Sequence, residues 1–246
     1  SLSINAGNYV VTFFPSLQIF IWRLVAHPSL QILKSTANAI QAYTNALMRY
    51  GRAELDNVMH FFISLCLKLL SFNDQIKHYA SLLLLESLIN SNPMYFINEI
   101  VHITKNIFDN IEDGSILVQS QACAVLACIS QVDAQYFIDF IAEEVFSTSE
   151  HLILEFPEII SKSLSLMCRT VPAFVEQRLD DYTRFSKMIL DEESDFTFNM
   201  LSAAIEQFGS DKLLPFIMEF DFTAKKLNQS FVNFIVKLFE YRNSTN

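Results

Sequence analysis

Apolar residues recur at helical spacing along most of the chain, and the stretch 73–90 shows the pattern most clearly. Ile76, Ala80 and Leu84 lie at offsets that place them on one stripe of a helix. The small side chain of Ala80, at the centre of the stripe, lets a neighbouring helix approach closely. Asn73 has a short polar side chain that can accept hydrogen bonds from the first turn. The pattern predicts a capped, amphipathic helix over this stretch.

The same template recurs at a regular interval along the chain. Ala122 lies 42 residues after Ala80, and Leu164 lies 42 residues after Ala122. Ala37, 43 residues before Ala80, belongs to a partial match upstream. A period near 40 residues with two helices in each period is typical of helical solenoids. Ser120 lies off the stripe, so we expect a larger side chain there to be tolerated better than at Ala122.

The helices predicted from periodicity, capping residues and proline positions fill nearly the whole chain after residues 1–14, which are predicted to be a frayed lead-in or the tail of another helix. Asp133 is expected to cap one helix, and Gly51 and Gly209 are expected to end two others. Pro15 and Pro172 suit first turns. The predicted helices are 15–26, 28–50, 53–71, 73–90, 93–111, 115–131, 134–147, 149–169 with a break at Pro157, 172–190, 196–208, 211–220 and 223–242. The predicted fold class is therefore all-α, a superhelical α-solenoid of about six antiparallel helix pairs in a single domain over 1–246.

Composition supports a helical protein with a large core. Of 246 residues, 51% are hydrophobic, whereas only 4 are glycine and 6 are proline, too few for the tight turns of a typical α/β enzyme. Each of the four cysteines sits in an apolar helical context, which indicates buried hydrophobic residues and a reducing compartment. Residues 1–22 carry no charge, but no apolar run reaches the length of a membrane helix.

We find no catalytic motif, and we expect no enzyme activity, catalytic residue, cofactor or metal site. His78 and His102 are predicted to lie on helix surfaces. Cys123 and Cys128 are five residues apart and point in different directions on a helix, which does not suit zinc. A helical enzyme whose catalytic residues converge only in space remains an alternative.

Charge is distributed unevenly along the chain, which has a net charge of −10. Residues 1–110 hold 7 basic and 6 acidic residues, whereas residues 111–246 hold 10 basic and 21 acidic residues. Residues 106–161 contain ten carboxylates and no Lys or Arg. The surplus of negative charge disfavours binding of nucleic acid, whose phosphates it repels, and favours binding of a basic protein partner. A need for solubility alone would also explain this surplus. The predicted partner-binding residues, here called the acidic surface, are Glu112, Asp113, Glu143, Glu144, Glu150, Glu155 and Glu158.

Over about residues 15–208 the template resembles the HEAT and armadillo families of helical repeats. The resemblance rests on two series of positions, Ile76, Lys77, Ala80 and Leu84, and Val118, Gln119, Ala122 and Leu126. Gln119 and Ser161 replace the basic residue that this family often has, so no regular ladder of charges is expected along the array.

The turn Leu24-Val25-Ala26-His27-Pro28-Ser29 is similar to an inter-helix turn of exportin-type karyopherins. That resemblance implies a segment of a nuclear transport receptor in the cytoplasm or nucleus, which binds cargo or a Ran-type GTPase and does not insert in a membrane. The alternative is a scaffold subunit of a larger assembly, such as a vesicle-coat, phosphatase or RNA-processing complex.

Overall fold

The computed structural model of the chain describes residues 2–50, 52–111, 115–190, 194–219 and 229–244. Within these ranges it contains fourteen α-helices, one short 3-10 helix and no strand. The predicted all-α, solenoid-like fold class is confirmed. The chain divides into two compact units, Ser1–Val125 and Leu126–Asn246. The single repeat domain over 1–246 stays a prediction.

Unit 1 is built from helices that pack on neighbours close to them in sequence. Its elements are α1 (Leu2–Val25), α2 (Leu30–Tyr50), α3 (Arg52–Leu70), α4 (Gln75–Ser91), a 3-10 helix (Pro93–Phe96), α5 (Ile100–Ile111) and most of α6 (Ile116–Ile129), whose last four residues belong to unit 2. Contacts between α2 and α4, α1 and α2, and α3 and α4 are the most extensive. The stretch 73–90 therefore supplies the central helix of this unit.

The middle of α4 is buried on every face of the helix, because α2 and α3 both pack on it. Eight consecutive residues, 78–85, are buried. The buried hydroxyl of Ser81 donates a hydrogen bond to the carbonyl of Cys66 on α3 at 2.8 Å. Ala80 and Leu84 are buried as the stripe predicts, but Ile76 is 38% exposed. The template identified a core helix correctly and misjudged how far its buried surface extends.

Two helix starts in unit 1 differ from the prediction. The lead-in predicted at 1–14 is part of α1, which continues through Pro15. Proline inside a helix removes one backbone hydrogen bond, yet α1 continues to Val25. Helix α1 packs on α2, and Ile21 and Val25, which follow the proline, are buried. The cap of α4 is Asp74 rather than Asn73: its carboxylate accepts from the backbone N–H groups of Ile76 and Lys77.

The predicted helix 93–111 is also divided in the structure. Pro93–Phe96 forms the 3-10 helix, and α5 begins only at Ile100. Phe96 is completely buried between these segments, so side-chain packing interrupts the helix at a place without a glycine or a second proline. Gly51, predicted to end α2, lies outside the described residues.

Unit 2 also consists of helices, several of them short. They are α7 (Ala134–Phe140), α8 (Ala142–Leu152), α9 (Pro157–Thr170), α10 (Pro172–Glu176), α11 (Leu179–Leu190), α12 (Ser194–Phe208), α13 (Ser210–Ile217) and α14 (Gln229–Ser244). Asp133 caps α7 as predicted, by accepting from the N–H of Tyr136 at 2.9 Å. Pro172 stands at the start of a helix, also as predicted. Pro157, where a break inside a helix over 149–169 was predicted, is the first residue of α9.

The core of unit 2 centres on α12, which packs on α9, α11 and α14. The buried hydroxyl of Tyr182 on α11 donates to the carbonyl of Met200 on α12 at 2.9 Å. In the other direction, the hydroxyl of Thr197 on α12 donates a hydrogen bond to the carbonyl of Ser186 on α11 at 2.9 Å. Gly209 separates α12 from α13 with φ +81°, a backbone conformation that other residues rarely adopt. These contacts fix α12 between its neighbours.

Two predicted helices of unit 2 are split. The helix predicted at 134–147 ends at Phe140, and α8 starts at Ala142, with Ile141 between them at φ −128°. The helix predicted from Pro172 to 190 ends at Glu176 and restarts at Leu179. Ile141 and Val175 at these breaks are buried, so tertiary packing decides where the chain bends.

Candidate protein-binding surface

The described residues of the acidic surface lie close together in sequence on α8 and the start of α9. Glu143 and Glu144 occupy the first turn of α8, where a carboxylate is favoured by the helix dipole. Glu150 follows near the end of α8, Glu155 lies in the turn after it, and Glu158 is in the first turn of α9. All five side chains are exposed. Glu112 and Asp113 lie outside the described residues, so their role stays a prediction.

Three of these five carboxylates form ion pairs inside unit 2. Arg178 binds Glu143, and Arg184 binds Glu150 at 2.7 Å. Lys162 binds Glu158 one turn away on α9 at 2.6 Å. Their charges are therefore partly neutralised by basic residues that follow later in the chain.

Glu144 and Glu155 differ from the other three, because no cation pairs with either among the described residues. The carboxylate of Glu144 accepts a hydrogen bond from the hydroxyl of Thr148 at 3.3 Å. Among the described residues of the acidic surface, Glu144 and Glu155 therefore carry the negative charge that is least compensated. Glu143 and Glu150 lie nearby and are ion-paired, so they can serve as controls in experiments on Glu144 and Glu155.

Ion pairs between residues 31 to 37 positions apart recur through unit 2. Besides the pairs of Arg178 and Arg184, they are Arg169–Glu206 at 3.2 Å, Lys212–Glu176, Lys187–Glu219 at 3.7 Å and Lys237–Glu206. This series of ion pairs, here called the ladder, differs from the one expected to be missing, which concerned the basic position of the repeat template, so that expectation stays a prediction. The residues that form the ladder are not at the template position of Lys77, where a ladder would be expected from the family resemblance.

Glu206 is the one described carboxylate of this ladder that binds two cations on two other helices. Burial raises the pKa of Glu206, but hydrogen bonds and attraction from Lys237 and Arg169 outweigh it, so that its pKa lies below the usual value. Glu206 is therefore ionised at neutral pH and links α9, α12 and α14 electrostatically.

Large apolar side chains are exposed on both units. On α1, Phe13, Ile19 and Phe20 are more than half exposed. On α14, Val232, Val236 and Phe239 are exposed along one side of the helix. The sequence did indicate strongly apolar helices in these two places. Exposed apolar surface of this kind is found at protein–protein contacts.

The histidines and cysteines offer little chemistry at neutral pH. His78, predicted on the surface, is only 5% exposed and its ring bonds to the carbonyl of Phe72. His102 is exposed, as predicted. All four cysteines are buried thiols that form no disulfide bond. Burial raises the pKa of the Cys66 and Cys168 thiols to about 12, so both stay protonated and are poor nucleophiles.

An apolar groove of about 380 Å³ lies between α1 and α2 in unit 1. Phe13, Leu17, Leu24 and Ile40 line it, together with the ring of Tyr43. Burial, and secondarily the charge of Glu54, raise the pKa of Tyr43 to about 12. The groove can hold apolar groups, but its tyrosine cannot act as a base near pH 7. No group of three or more potential metal ligands occurs in the described part of the chain.

Comparison with known proteins identifies the fold and no family. No protein-family profile matches the chain, and no curated protein matches it. The structure is similar to the crystal structure of an engineered protein from the Northeast Structural Genomics Consortium, with a TM-score of 0.55 and 13% identity over 90% of this chain and 96% of that one. None of the described helices combines the length and hydropathy of a membrane span.

Proposed function

We propose that the chain is a non-enzymatic protein-binding repeat module whose acidic surface binds a basic partner. The observation that carries the proposal is the exposed, uncompensated charge of Glu144 and Glu155 beside three ion-paired carboxylates. Unit 2 as a whole has 10 basic and 19 acidic residues in its sequence. A field of one sign steers an oppositely charged partner toward this surface.

The proposal is tested by capturing partners with the tagged chain and two double variants. In E144K/E155K the unpaired carboxylates are reversed. In E143K/E150K the two paired carboxylates of α8 are reversed, so this variant controls for the same change in net charge and, at Glu143, for the helix-dipole effect of reversing its neighbour Glu144. We expect E144K/E155K to lose the partner more completely. Equal recovery of one stoichiometric partner with wild type and E144K/E155K would contradict a role for these residues.

A finer form of the proposal is a segment of a nuclear transport receptor that works in the cytoplasm or nucleus. It is supported by the turn between α1 and α2, where the N–H of Ser29 donates to Nδ1 of His27 at 3.1 Å. The test is binding to a purified Ran-type GTPase. We expect binding to the GTP-loaded form and much weaker binding to the GDP-loaded form. Equal affinity for both forms would contradict a role as a nuclear transport receptor.

A second candidate is a scaffold subunit of a larger, permanent assembly. The observation in its favour is the exposed apolar side chains on α1 and α14, since permanent interfaces are more apolar than transient ones. Co-purification with a stoichiometric partner that survives high salt would favour the scaffold, because apolar contacts do not weaken as salt rises. Salt-sensitive, exchangeable binding would favour the receptor.

A further inference from the structure

An exposed aromatic ring stands beside the acidic surface, where α7 meets α8. Phe140 is the last residue of α7, and its side chain is 67% exposed. The ring of Tyr136, one turn earlier on α7, packs against it with the ring centroids 5.1 Å apart. A single exposed apolar side chain is common on protein surfaces, so the groups around Phe140 decide what this ring can bind.

Carboxylates flank the ring on both sides in sequence. Asp139 precedes Phe140, and Glu143 and Glu144 follow it in the first turn of α8. Within the described parts of the chain, Arg178 is the one cation that pairs with any of these three carboxylates, and it binds Glu143. Three negative charges thus face one positive charge, so a surplus of negative charge remains beside the ring after this ion pair is counted.

Unit 2 already shows what occupies an aromatic ring next to a carboxylate of α8. The guanidinium of Arg178 lies over the ring of Phe174 at 4.3 Å, and that of Arg184 lies over the ring of Phe185 at 5.1 Å. Each of these arginines also binds a carboxylate of α8. Both of their rings are buried. At Phe140 the ring and the carboxylates are present, but no cation of the described residues lies over the ring.

We propose that Phe140, Asp139 and Glu144 bind an arginine side chain of the basic partner. The guanidinium lies on the open face of the phenyl ring and donates its N–H groups to the carboxylates beside it. This inference rests on the proposed function, because it names the residue type by which a basic partner contacts this end of the acidic surface.

Lysine and an apolar side chain are the two alternatives to arginine. Lysine does occupy a ring in unit 1, where the ammonium of Lys77 lies 4.2 Å from the centre of Phe72. The guanidinium is favoured at Phe140, because it is planar, weakly hydrated and able to serve two carboxylates at once. An apolar side chain would cover Asp139 and Glu144 without pairing their charges, which costs free energy.

An NMR titration of the full chain distinguishes the three occupants. The probes are neutral, capped peptides that are identical except for a central Arg, Lys or Leu, and the amide signals of Asp139, Phe140 and Glu144 report binding. We expect the Arg peptide to bind about fivefold or more tightly than the Lys peptide, and the Leu peptide to bind most weakly.

Three results of this titration would overturn the proposal. Equal affinity of the Arg and Lys peptides would remove the guanidinium from the contact. Binding of the Leu peptide as tightly as the Arg peptide would show an apolar contact instead. No change in the three amide signals with the Arg peptide at a concentration on the order of 10 mM would remove the site.

Phe140→Leu tests the ring, because it keeps an apolar side chain and every carboxylate but removes the aromatic face. Phe20→Leu is the matched control, since Phe20 is 55% exposed and lies in the uncharged stretch 1–22. We expect F140L to weaken binding of the Arg peptide about fivefold and F20L to leave it unchanged. Equal affinities of F140L and wild type would contradict a contact with the ring.

Asp139→Asn and E144K/E155K test the carboxylates with the same Arg peptide. We expect both variants to bind more weakly than wild type at nearly unchanged melting temperatures, because the replaced side chains are exposed. Loss of binding in E144K/E155K together with normal binding in F140L would leave the proposed function standing and remove the ring from it. Normal binding in F140L, D139N and E144K/E155K alike would contradict both.

Discussion

Single small side chains at the helix crossings of unit 1 allow the helices to approach closely. Ala80 and Ala122 are almost completely buried, and Ser81 beside Ala80 bonds to the carbonyl of Cys66. A second contact joins α4 to α6, where the amide of Gln121 donates to the carboxylate of Glu86. At such positions a larger side chain has no space, because protein interiors are close-packed.

We predict that Ala122→Leu lowers the free energy of unfolding by about 1–3 kcal/mol, because the added atoms overpack the core. Ala42→Leu on α2 is the matched control, since Ala42 is exposed in the middle of its helix. The control is expected to change stability by no more than about 0.5 kcal/mol. Urea denaturation of both variants provides the measurement, and equal midpoints would contradict the register of α6.

Burial of the residues on the apolar stripe could be predicted from the sequence, but burial of the residues beside the stripe could not. Ser120 was expected to tolerate a large side chain, but it is completely buried and its hydroxyl bonds to the carbonyl of Leu117 at 2.9 Å. His78 is buried for the same reason. A helix packed on several sides buries residues outside its apolar stripe, and periodicity within one helix contains no information about how many helices surround it.

Helix ends followed local chemistry where a capping residue or a proline was present. Asp133 caps α7 and Pro172 begins α10, as the sequence predicted, and the chain breaks before Pro157, where a break was predicted. The interruptions at Ile97 and Ile141 have no such signal. The sequence could therefore predict the helices and many of their starts, whereas breaks imposed by packing depend on contacts between residues distant in the chain.

The cap of α4 gives a prediction that depends on pH. Burial raises the pKa of Asp74, but backbone hydrogen bonds from Lys77 and Ile76 outweigh it, so the pKa lies below its usual value. A lowered pKa means that the cap stabilises the folded state above the unfolded value of about 3.9 and loses this effect as the pH falls toward the folded value.

We therefore expect Asp74→Ala to cost about 0.5–2 kcal/mol at pH 7, and the difference from wild type to shrink as the pH is lowered below about 4. Asp74→Asn is the control, because asparagine also caps helices but does not titrate. It should stay close to wild type at pH 7. A wild-type-to-alanine difference that is the same at both pH values would contradict the role of the carboxylate.

At the scale of the whole molecule, the number of charged residues could be read from the sequence, but the ion pairs that they form could not. The surplus of carboxylates over 106–161 is visible in the sequence. The bonds of Glu143 to Arg178 and Glu150 to Arg184 are not, because they join residues 34 and 35 positions apart on separate helices. Only the structure distinguishes these paired carboxylates from Glu144 and Glu155, and that distinction defines the variants that test function.

The most direct test of protein binding by the acidic surface is the association rate constant with the captured partner, measured at low and high salt. For wild type we predict a rate that falls several-fold as salt rises, because the Debye length shortens to about 8 Å at physiological ionic strength. For E144K/E155K we predict a slower rate at low salt, little dependence on salt, and a melting temperature near that of E143K/E150K. An association rate that is the same for wild type and E144K/E155K at every salt concentration would contradict the account.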